Sequence, residues 1–397
     1  MRESVADAAG RTGPDVLAAC ALSAVPGLGA TTLARIAQAF PSLQAAVEEG
    51  PAGLLAREGE LQLRPEARQY LAQGPDLLEL GNWALKAARA AGARVVLLED
   101  VEYPESLRHI AHPPRLLYVR GRLRAQARRI AVVGARDADE ADQALAHGFG
   151  DLFARAGVEV VSGGARGIDA AAHEGALWAQ GTSIAVLGSG IDVVYPWENR
   201  HLFASLVNGG GAVVSEFAPG TQPMPKNFPR RNRTVAGLSR AVVVVRAAAR
   251  SGALITAQHA ASQGREVFAV PGSPADRRAE GPNGLLHDGK ARLATGPADV
   301  LMALGWPVPE QPASPDASHL PAAASKGPAA SKAHTDTELV DATGVKLWRL
   351  LDERTPAHVD DLALRAQIPA HQVLGKLAEL EMKGMVLQRP GKYFLRR

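Results

Sequence analysis

The chain has 397 residues, enough for two or three domains, and its 46% hydrophobic and 21% charged content is that of a globular protein able to bury a sizeable core. A formal net charge of +3 is too small to identify a polyanionic partner, so where the charges lie matters more than their sum. The single cysteine, Cys20, excludes an internal disulfide and a thiolate metal cage, and no run approaches the roughly 20 apolar residues of a membrane helix.

The N-terminal MRESVADAAGRTG lacks the apolar core of a signal peptide, so a soluble, cytoplasmic protein without a membrane partner is expected. Residues 14–85 read as a small helical domain. Within it, LSAVPGLGATTLARIAQAF (22–40) places a glycine turn before an amphipathic helix. That pattern is similar to a helix-hairpin-helix, whose turn offers amides to a DNA phosphate, and it equally suits a plain packing module. With only Arg35 and Arg57 as cations between residues 14 and 60, strong DNA binding by this part alone is not expected.

Residues 90–305 alternate strand and helix patterns. The segment VRGRLRAQARRIAVVGAR (119–136) holds six arginines and no acid, which fits either a solvated connector or a basic patch. RIAVVGAR (129–136), VEVVSGG (158–164), SIAVLGSG (183–190), GAVVSEF (211–217), AVVVVRA (241–247) and EVFAVPG (266–272) are short apolar strands, most running into glycine. Near-continuous apolar strands separated by helices predict a doubly wound, Rossmann-like, mostly parallel sheet covered on both faces. Ligands of such sheets sit at the carboxyl ends of the strands, and the glycine turns here fall on that edge.

Those turns carry the chemistry. A glycine turn that opens a helix presents backbone N–H groups and the positive end of the helix dipole to an anion. VSGGARGID supplies Ser162, Gly163 and Gly164 with Arg166 beside them. It lacks the full dinucleotide fingerprint, and no P-loop motif occurs in the chain. In NFPRRNRTVAGLS (227–239), Arg230, Arg231 and Arg233 surround Asn232, with Lys226 and Phe228 adjacent. Guanidinium forks fit phosphate oxygens, and an aromatic among cations is the pairing that stacks unpaired bases. RSGALITAQHA (250–260) adds Ser251 and Gly252 at another helix start, and the loop VPGSPADRRAEGPNGLLHDGKARL (270–293) adds Arg277, Arg278, Asn283 and Lys290. Asp169 and His173 lie four apart on one predicted helix, but no nucleophile order or metal-spaced histidine pair accompanies them, so neither catalysis nor a cofactor is expected.

Residues 306–335 are rich in Pro, Ala and Ser without periodicity and predict a disordered linker. Residues 336–397 predict three helices and a hairpin wing, similar to a winged helix. Thr355 is placed as an N-cap with Pro356 opening the second helix. His371, Gln372 and Lys376 against Glu379 and Glu381 give the third helix mixed charge, and Lys392, Arg396 and Arg397 lie in or beside the wing. Duplex DNA and a protein partner both remain open for this domain.

Taken in order, SGGARGIDAAAHEGAL, VLGSGIDVVYPWEN, SEFAPG, FPRRNRTVAGLS, SGALITA and VPGS…GPNGLL resemble the DNA-processing protein A family (DprA, or Smf) over about residues 90–300. The resemblance implies a non-enzymatic homodimer that binds single-stranded DNA in a basic pocket. It also implies loading of the recombinase RecA, with displacement of single-strand binding protein, during natural transformation. It carries the DNA-binding role onto Arg136, onto Ser162, Gly163 and Gly164, onto Phe228, Arg231 and Asn232, and onto Ser251 and Gly252; Lys226 lies near a lysine of the family pattern. Two departures stand out. Gly134–Ala135–Arg136–Asp137 lacks the family's hydroxyl and adds an acid, and Gly281–Pro282–Asn283 keeps the glycine and asparagine of the family's Gly-Cys-Asn. The alternative is a Rossmann-like nucleotide-binding or nucleotide-cleaving enzyme of the lysine-decarboxylase-like group, whose Pro-Gly-Gly-x-Gly-Thr turn is missing here.

Overall fold

The structure is a computed structural model that describes residues 13–309, 342–352, 357–366, 368–382, 385–389 and 393–396. From residue 310 onward the expected linker lies outside the described residues. The described residues up to 309 form one compact unit and those from 342 a second.

The first unit opens with helices α1 (Pro14–Ala24), α2 (Ala30–Ala39), α3 (Leu43–Glu48), α4 (Gly50–Ala56), α5 (Glu58–Leu61), α6 (Pro65–Leu71) and α7 (Leu77–Ala90). Proline at the first position starts α1 and α6, and the Asp76 carboxylate caps α7 by accepting from the amides of Leu78 and Glu79. Leu22, Leu33, Ile36, Leu54 and Leu61 give these helices a core of their own. Cys20, Ala84 and Ala88 pack instead against Val95 and Tyr118 of the sheet.

The sheet region follows as β1 (Arg94–Leu97), α8 (Glu105–Arg108), β2 (Leu116–Gly121), β3 (Arg129–Val133), α9 (Glu140–Arg155), β4 (Glu159–Ser162), α10 (Ile168–Trp178), β5 (Ser183–Val186), α11 (Arg200–Asn208) and β6 (Ala212–Ser215). It continues with α12 (Asn227–Leu238), β7 (Ala241–Val244), α13 (Gly252–Ser262), β8 (Glu266–Ala269), α14 (Glu280–His287), β9 (Arg292–Leu293) and α15 (Pro297–Ala303). The strand order is β1-β2-β6-β5-β4-β3-β7-β8-β9. From β6 to β9 every neighbour is parallel, as the apolar runs predict. β2 pairs antiparallel with both β6 and β1, a hairpin-like edge that the sequence pattern did not reveal.

Residues alternate between the two faces with the strand period of two. Ile130 and Val132 pack with α9 and α10, while Ala131 and Val133 pack with α12 and α13. From β3 the chain proceeds to β4 on one side, and β7 returns on the other. The crevice above β3 is therefore the point where the winding direction reverses.

Of the six-arginine run, only its last member, Arg136, lines that crevice. Arg129 opens β3 at the amino edge and is 1% exposed; its Nε donates to the Glu159 carboxylate at 2.8 Å, and Arg124 meets the same carboxylate. For Arg124 and Arg129 the basic-patch reading is thereby corrected: the acid that the segment lacks comes from β4, where Glu159 is buried.

The second unit contains α16 (Ala342–Leu350), β10 (Ala357–His358), α17 (Val359–Ala366), α18 (Ala370–Met382), β11 (Val386–Arg389) and β12 (Tyr393–Arg396). Its antiparallel sheet has the order β10-β12-β11, and Leu347, Leu362, Val373, Leu377 and Phe394 fill its core. This is the expected winged helix, with one correction. Ala357 and His358, assigned to the first helical turn, pair with Phe394 and Tyr393 in the sheet, so the helix starts at Val359. Thr355, Pro356, Lys392 and Arg397 lie outside the described residues. Arg396 stacks its guanidinium 4.8 Å from the Trp348 ring centre, so it braces the domain's own packing.

Candidate nucleic-acid interface

The carboxyl ends of β4, β3 and β7 meet at the reversal point, and together with the start of α12 they enclose a cavity of about 590 Å³. Topology places the FPRRN segment there. α12 crosses from β6 to β7 and so must begin at the carboxyl edge of the sheet. The helix starts at Asn227, so the cations form its first turns and do not precede it. Positive charge at a helix N-terminus opposes the dipole, and each arginine is accordingly anchored. Arg230 donates through Nε to the buried Glu216 carboxylate at 2.9 Å. Arg231 donates through Nη1 to the carbonyls of Gly163 and Val186, and through Nε to the Asn232 side-chain oxygen at 2.9 Å. Arg233 donates to the carbonyls of Ala111 and His112, outside the cavity.

Of the expected residues, Arg136, Gly163, Phe228, Arg231, Asn232, Ser251 and Gly252 line this one cavity. Their roles differ from those the sequence suggests. Arg231 is 5% exposed and Asn232 9%. Asn232 donates to the Gly252 carbonyl at 3.1 Å and accepts from Arg231, so both residues form the floor. Arg136 is exposed, with its guanidinium 5.2 Å from the Phe228 ring centre; Arg231 lies 5.7 Å from the same ring. Phe228 thus has one buried and one exposed guanidinium within about 6 Å of its ring centre. Ser251 caps α13, and Gly252 beside it is open to solvent, with nothing within 4 Å of an added Cβ.

The glycine turn after β4 needs the largest correction. The Asp169 carboxylate accepts from the Gly163 amide at 3.1 Å and the Ala165 amide at 3.3 Å, so an internal anion already fills the nest expected for phosphate. The Ser162 hydroxyl is fully buried and donates to the Val132 carbonyl at 2.7 Å. Gly164, at φ +64°, does not line the cavity; a Cβ there would strike the Phe203 ring, and its carbonyl accepts from Asn199. Arg166 borders a narrower adjoining compartment and stands 3.9 Å from Glu198. Lys226 reaches the other way, to the Glu66 carboxylate of α6 at 3.2 Å. Asn283 donates to and accepts from the backbone of Gly272, bracing the turn after β8 outside the cavity.

Two further arginines line the cavity. Arg250 and Arg277 are exposed and, like Arg136, have no carboxylate partner among the described residues. Sequence reasoning named Arg277 only as part of its loop and passed over Arg250, although both follow ends of central strands. Arg278 also borders the cavity, but Asp139, Asp142 and Asp276 hold its guanidinium. Asp137 is the one exposed acid on the wall. In the turn after β3, the amides of Ala135 and Arg136 have no intramolecular acceptor among the described residues, so this turn keeps bare N–H groups.

Burial governs the electrostatics of the floor. Desolvation pulls the Arg231 guanidinium down to about 10, opposed by Asp169 and assisted by repulsion from Arg136. Desolvation raises the Asp169 carboxyl above its ordinary range, opposed chiefly by Arg231. His173, fully buried, is lowered to about 3 by desolvation and by Arg231. Its Nδ1 meets the Ser183 hydroxyl, which itself donates to the Val160 carbonyl. The Asp169–His173 spacing therefore serves internal packing. Among the described residues no group of His, Cys, Asp or Glu is placed to hold a metal, and no helix is long and apolar enough to cross a membrane.

Comparison with known proteins matches residues 94–305 to the family described as DNA recombination-mediator protein A and residues 307–392 to the DprA winged helix domain. Protein Smf of Escherichia coli is 41% identical over 292 residues, covering 73% of this chain and 74% of the relative. Protein Smf of Synechocystis sp. is 32% identical over 395 residues, covering 95% and 98%. The X-ray structure of DNA processing protein A (DprA) from Streptococcus pneumoniae superimposes with a TM-score of 0.60 at 32% identity, over 74% of this chain and 98% of that one.

Proposed function

The chain belongs to the DNA recombination-mediator protein A family, and from that premise we propose that it binds single-stranded DNA in the crevice above β3 and loads RecA onto it. It acts as a homodimer, without catalysis or cofactor, and supplies incoming strands to recombination in natural transformation. The observation that carries this reading is the group of three exposed arginines without ion-pair partners among the described residues, Arg136, Arg250 and Arg277, around Phe228 on one cavity of about 590 Å³. Guanidinium forks meet the phosphates, and the phenyl face meets a base that duplex DNA would keep stacked. Residues 90–305 perform this step. The linker 306–335 tethers the winged helix, which contacts duplex DNA or protein, and the helical segment 14–85 supports the sheet.

Fluorescence anisotropy of labelled oligonucleotides across a salt series tests the binding. Single strands should bind more tightly than duplexes of the same length, with affinity falling steeply as salt rises. RecA filament assembly on strands coated with single-strand binding protein tests the loading. No acceleration by the chain would remove the mediator role, and equal binding of duplex and single strand would remove the crevice assignment.

A further inference from the structure

The crevice continues past Phe228. That ring also walls the narrower compartment, which is bounded by Gly188, Tyr195, Pro196 and Arg166. Tyr195 stands with its ring centre 5.9 Å from that of Phe228, tilted by 44°. Two residues on, Trp197 is 64% exposed, and Tyr195 is 42% exposed. The Arg200 guanidinium lies 5.2 Å from the indole centre. The segment is tied to the main cavity: Asn199 donates to the carbonyls of Gly164 and Ala165 at 2.9 and 3.1 Å, in the turn that forms the cavity wall. The phenyl ring lies directly on Gly188, where an added Cβ would come within 2.9 Å of it.

From this arrangement we propose that residues 195–200 form a second base-binding subsite, extending the strand path out of the cavity. Tyr195 and Trp197 take the faces of the nucleobases that follow the one held at Phe228, and Arg166 and Arg200 meet the phosphates between them. The inference rests on the single-strand reading of the crevice and adds its direction of exit. A solvated indole and phenol flanked by exposed Arg200 and by Arg166, whose solvent-exposed pairing with Glu198 at 3.9 Å is weak, match a polyanion with apolar faces. A paired duplex has no free base faces to offer them. Stacking on an aromatic tolerates any base, so the subsite adds affinity without sequence preference.

The test uses the full chain and oligothymidylates of two lengths, roughly 3 and 15 nucleotides, the longer within the span of known single-strand sites. Trp197→Ala should weaken the longer strand roughly 5- to 150-fold, equivalent to the ~1–3 kcal/mol of one stacked base, and leave the short one nearly unchanged. Trp197→Phe should restore most of the loss, and circular dichroism melts confirm that both variants fold. Arg136→Ala should weaken both lengths. Wild-type affinity of Trp197→Ala and Tyr195→Ala for the longer strand overturns the subsite. So does a shift in oligomeric state, by sedimentation, with affinity per protomer unchanged, because the segment would then be a protein interface. If Arg136→Ala also binds both lengths normally, the underlying crevice assignment fails, and that failure is separable from the first.

Discussion

Replacing Arg231 by alanine should damage the fold more than it damages DNA contact. The guanidinium is 5% exposed and joins the carbonyl ends of two strand turns, Gly163 and Val186, to Asn232 on its own helix. It also offsets the buried Asp169 carboxylate, which holds the turn after β4 through the Gly163 and Ala165 amides. Each hydrogen bond from a charged group is worth ~1.5–3 kcal/mol, and removing one partner of a buried charge pair costs ~3–5 kcal/mol. The two estimates describe the same loss and do not add, so destabilisation of about 3–5 kcal/mol is expected, a fall in Tm on the order of 10 °C. Arg136→Ala, on an exposed side chain without an ion pair among the described residues, should change stability by no more than ~0.5 kcal/mol while reducing DNA affinity. Urea denaturation followed by circular dichroism separates the two variants. Adding Asp169→Asn to Arg231→Ala should return part of the loss, with a coupling of ~0.5–3 kcal/mol. If Arg231→Ala melts like the parent chain and loses only DNA binding, the guanidinium is a phosphate ligand and the bracing argument is wrong.

Three further outcomes can be checked. Substituting Arg136, Arg250 and Arg277 together by alanine should lower the slope of log K against log salt by about 2, at ~0.7 per phosphate contact on single strands, as measured by anisotropy; an unchanged slope would place the phosphates elsewhere. Glu159→Ala should destabilise the chain by about 3–5 kcal/mol in urea titrations, because it strands the buried Arg129, and a loss under 1 kcal/mol would contradict that pairing. His173 titrates near 3 in the fold against about 6.5 unfolded, so between those values the unfolded chain holds the extra proton and stability rises with pH. At pH 5 its share of the loss is about 2 kcal/mol. Asp169, raised by burial, acts in the opposite sense, so the measurement is the difference in slope between the parent and His173→Gln, which should titrate more flatly.

The fold was legible because each central strand is a closed apolar run: Val242, Val243 and Val244 are wholly buried, and a run with no polar position can only be covered on both faces. The antiparallel edge was harder to see. β1 is four residues, RVVL, entered from α7 through Gly92 at φ +70°, and so short a run of apolar residues shows neither its partner nor its direction. In the site, the sequence identified the segments but not the orientation of their side chains. Arg231, Arg136 and Lys226 carry the same kind of charge within the same motif set, yet they become the floor, the rim and a tie to α6. Helical phase and the distance to the nearest acid decide between those fates, and the acids that meet Lys226 and Arg231, Glu66 and Asp169, lie far away in sequence. Arg250 escaped notice for the converse reason, since a single arginine in a loop has no pattern until topology places it at the reversal point.

The sorting of cations also explains why one arginine is buried beneath three exposed ones. An exposed guanidinium is hydrated and screened, and its pull on a phosphate weakens with salt. A buried one acts through a low effective dielectric and projects its field upward more strongly. The fold meets the cost of burying Arg231 with strand-end carbonyls and Asp169, but Arg136 still repels it and contributes to the lowering of its pKa. An anion bound between Arg136 and Arg231 would relieve that repulsion, so binding and fold stability are linked through this pair. The crevice should therefore be among the regions that tighten most when a strand occupies it, and Tm should rise with strand concentration as binding to the folded state alone requires. An arrangement with all four cations on the surface would bind through screened charge only and would leave the turn after β4 without its brace.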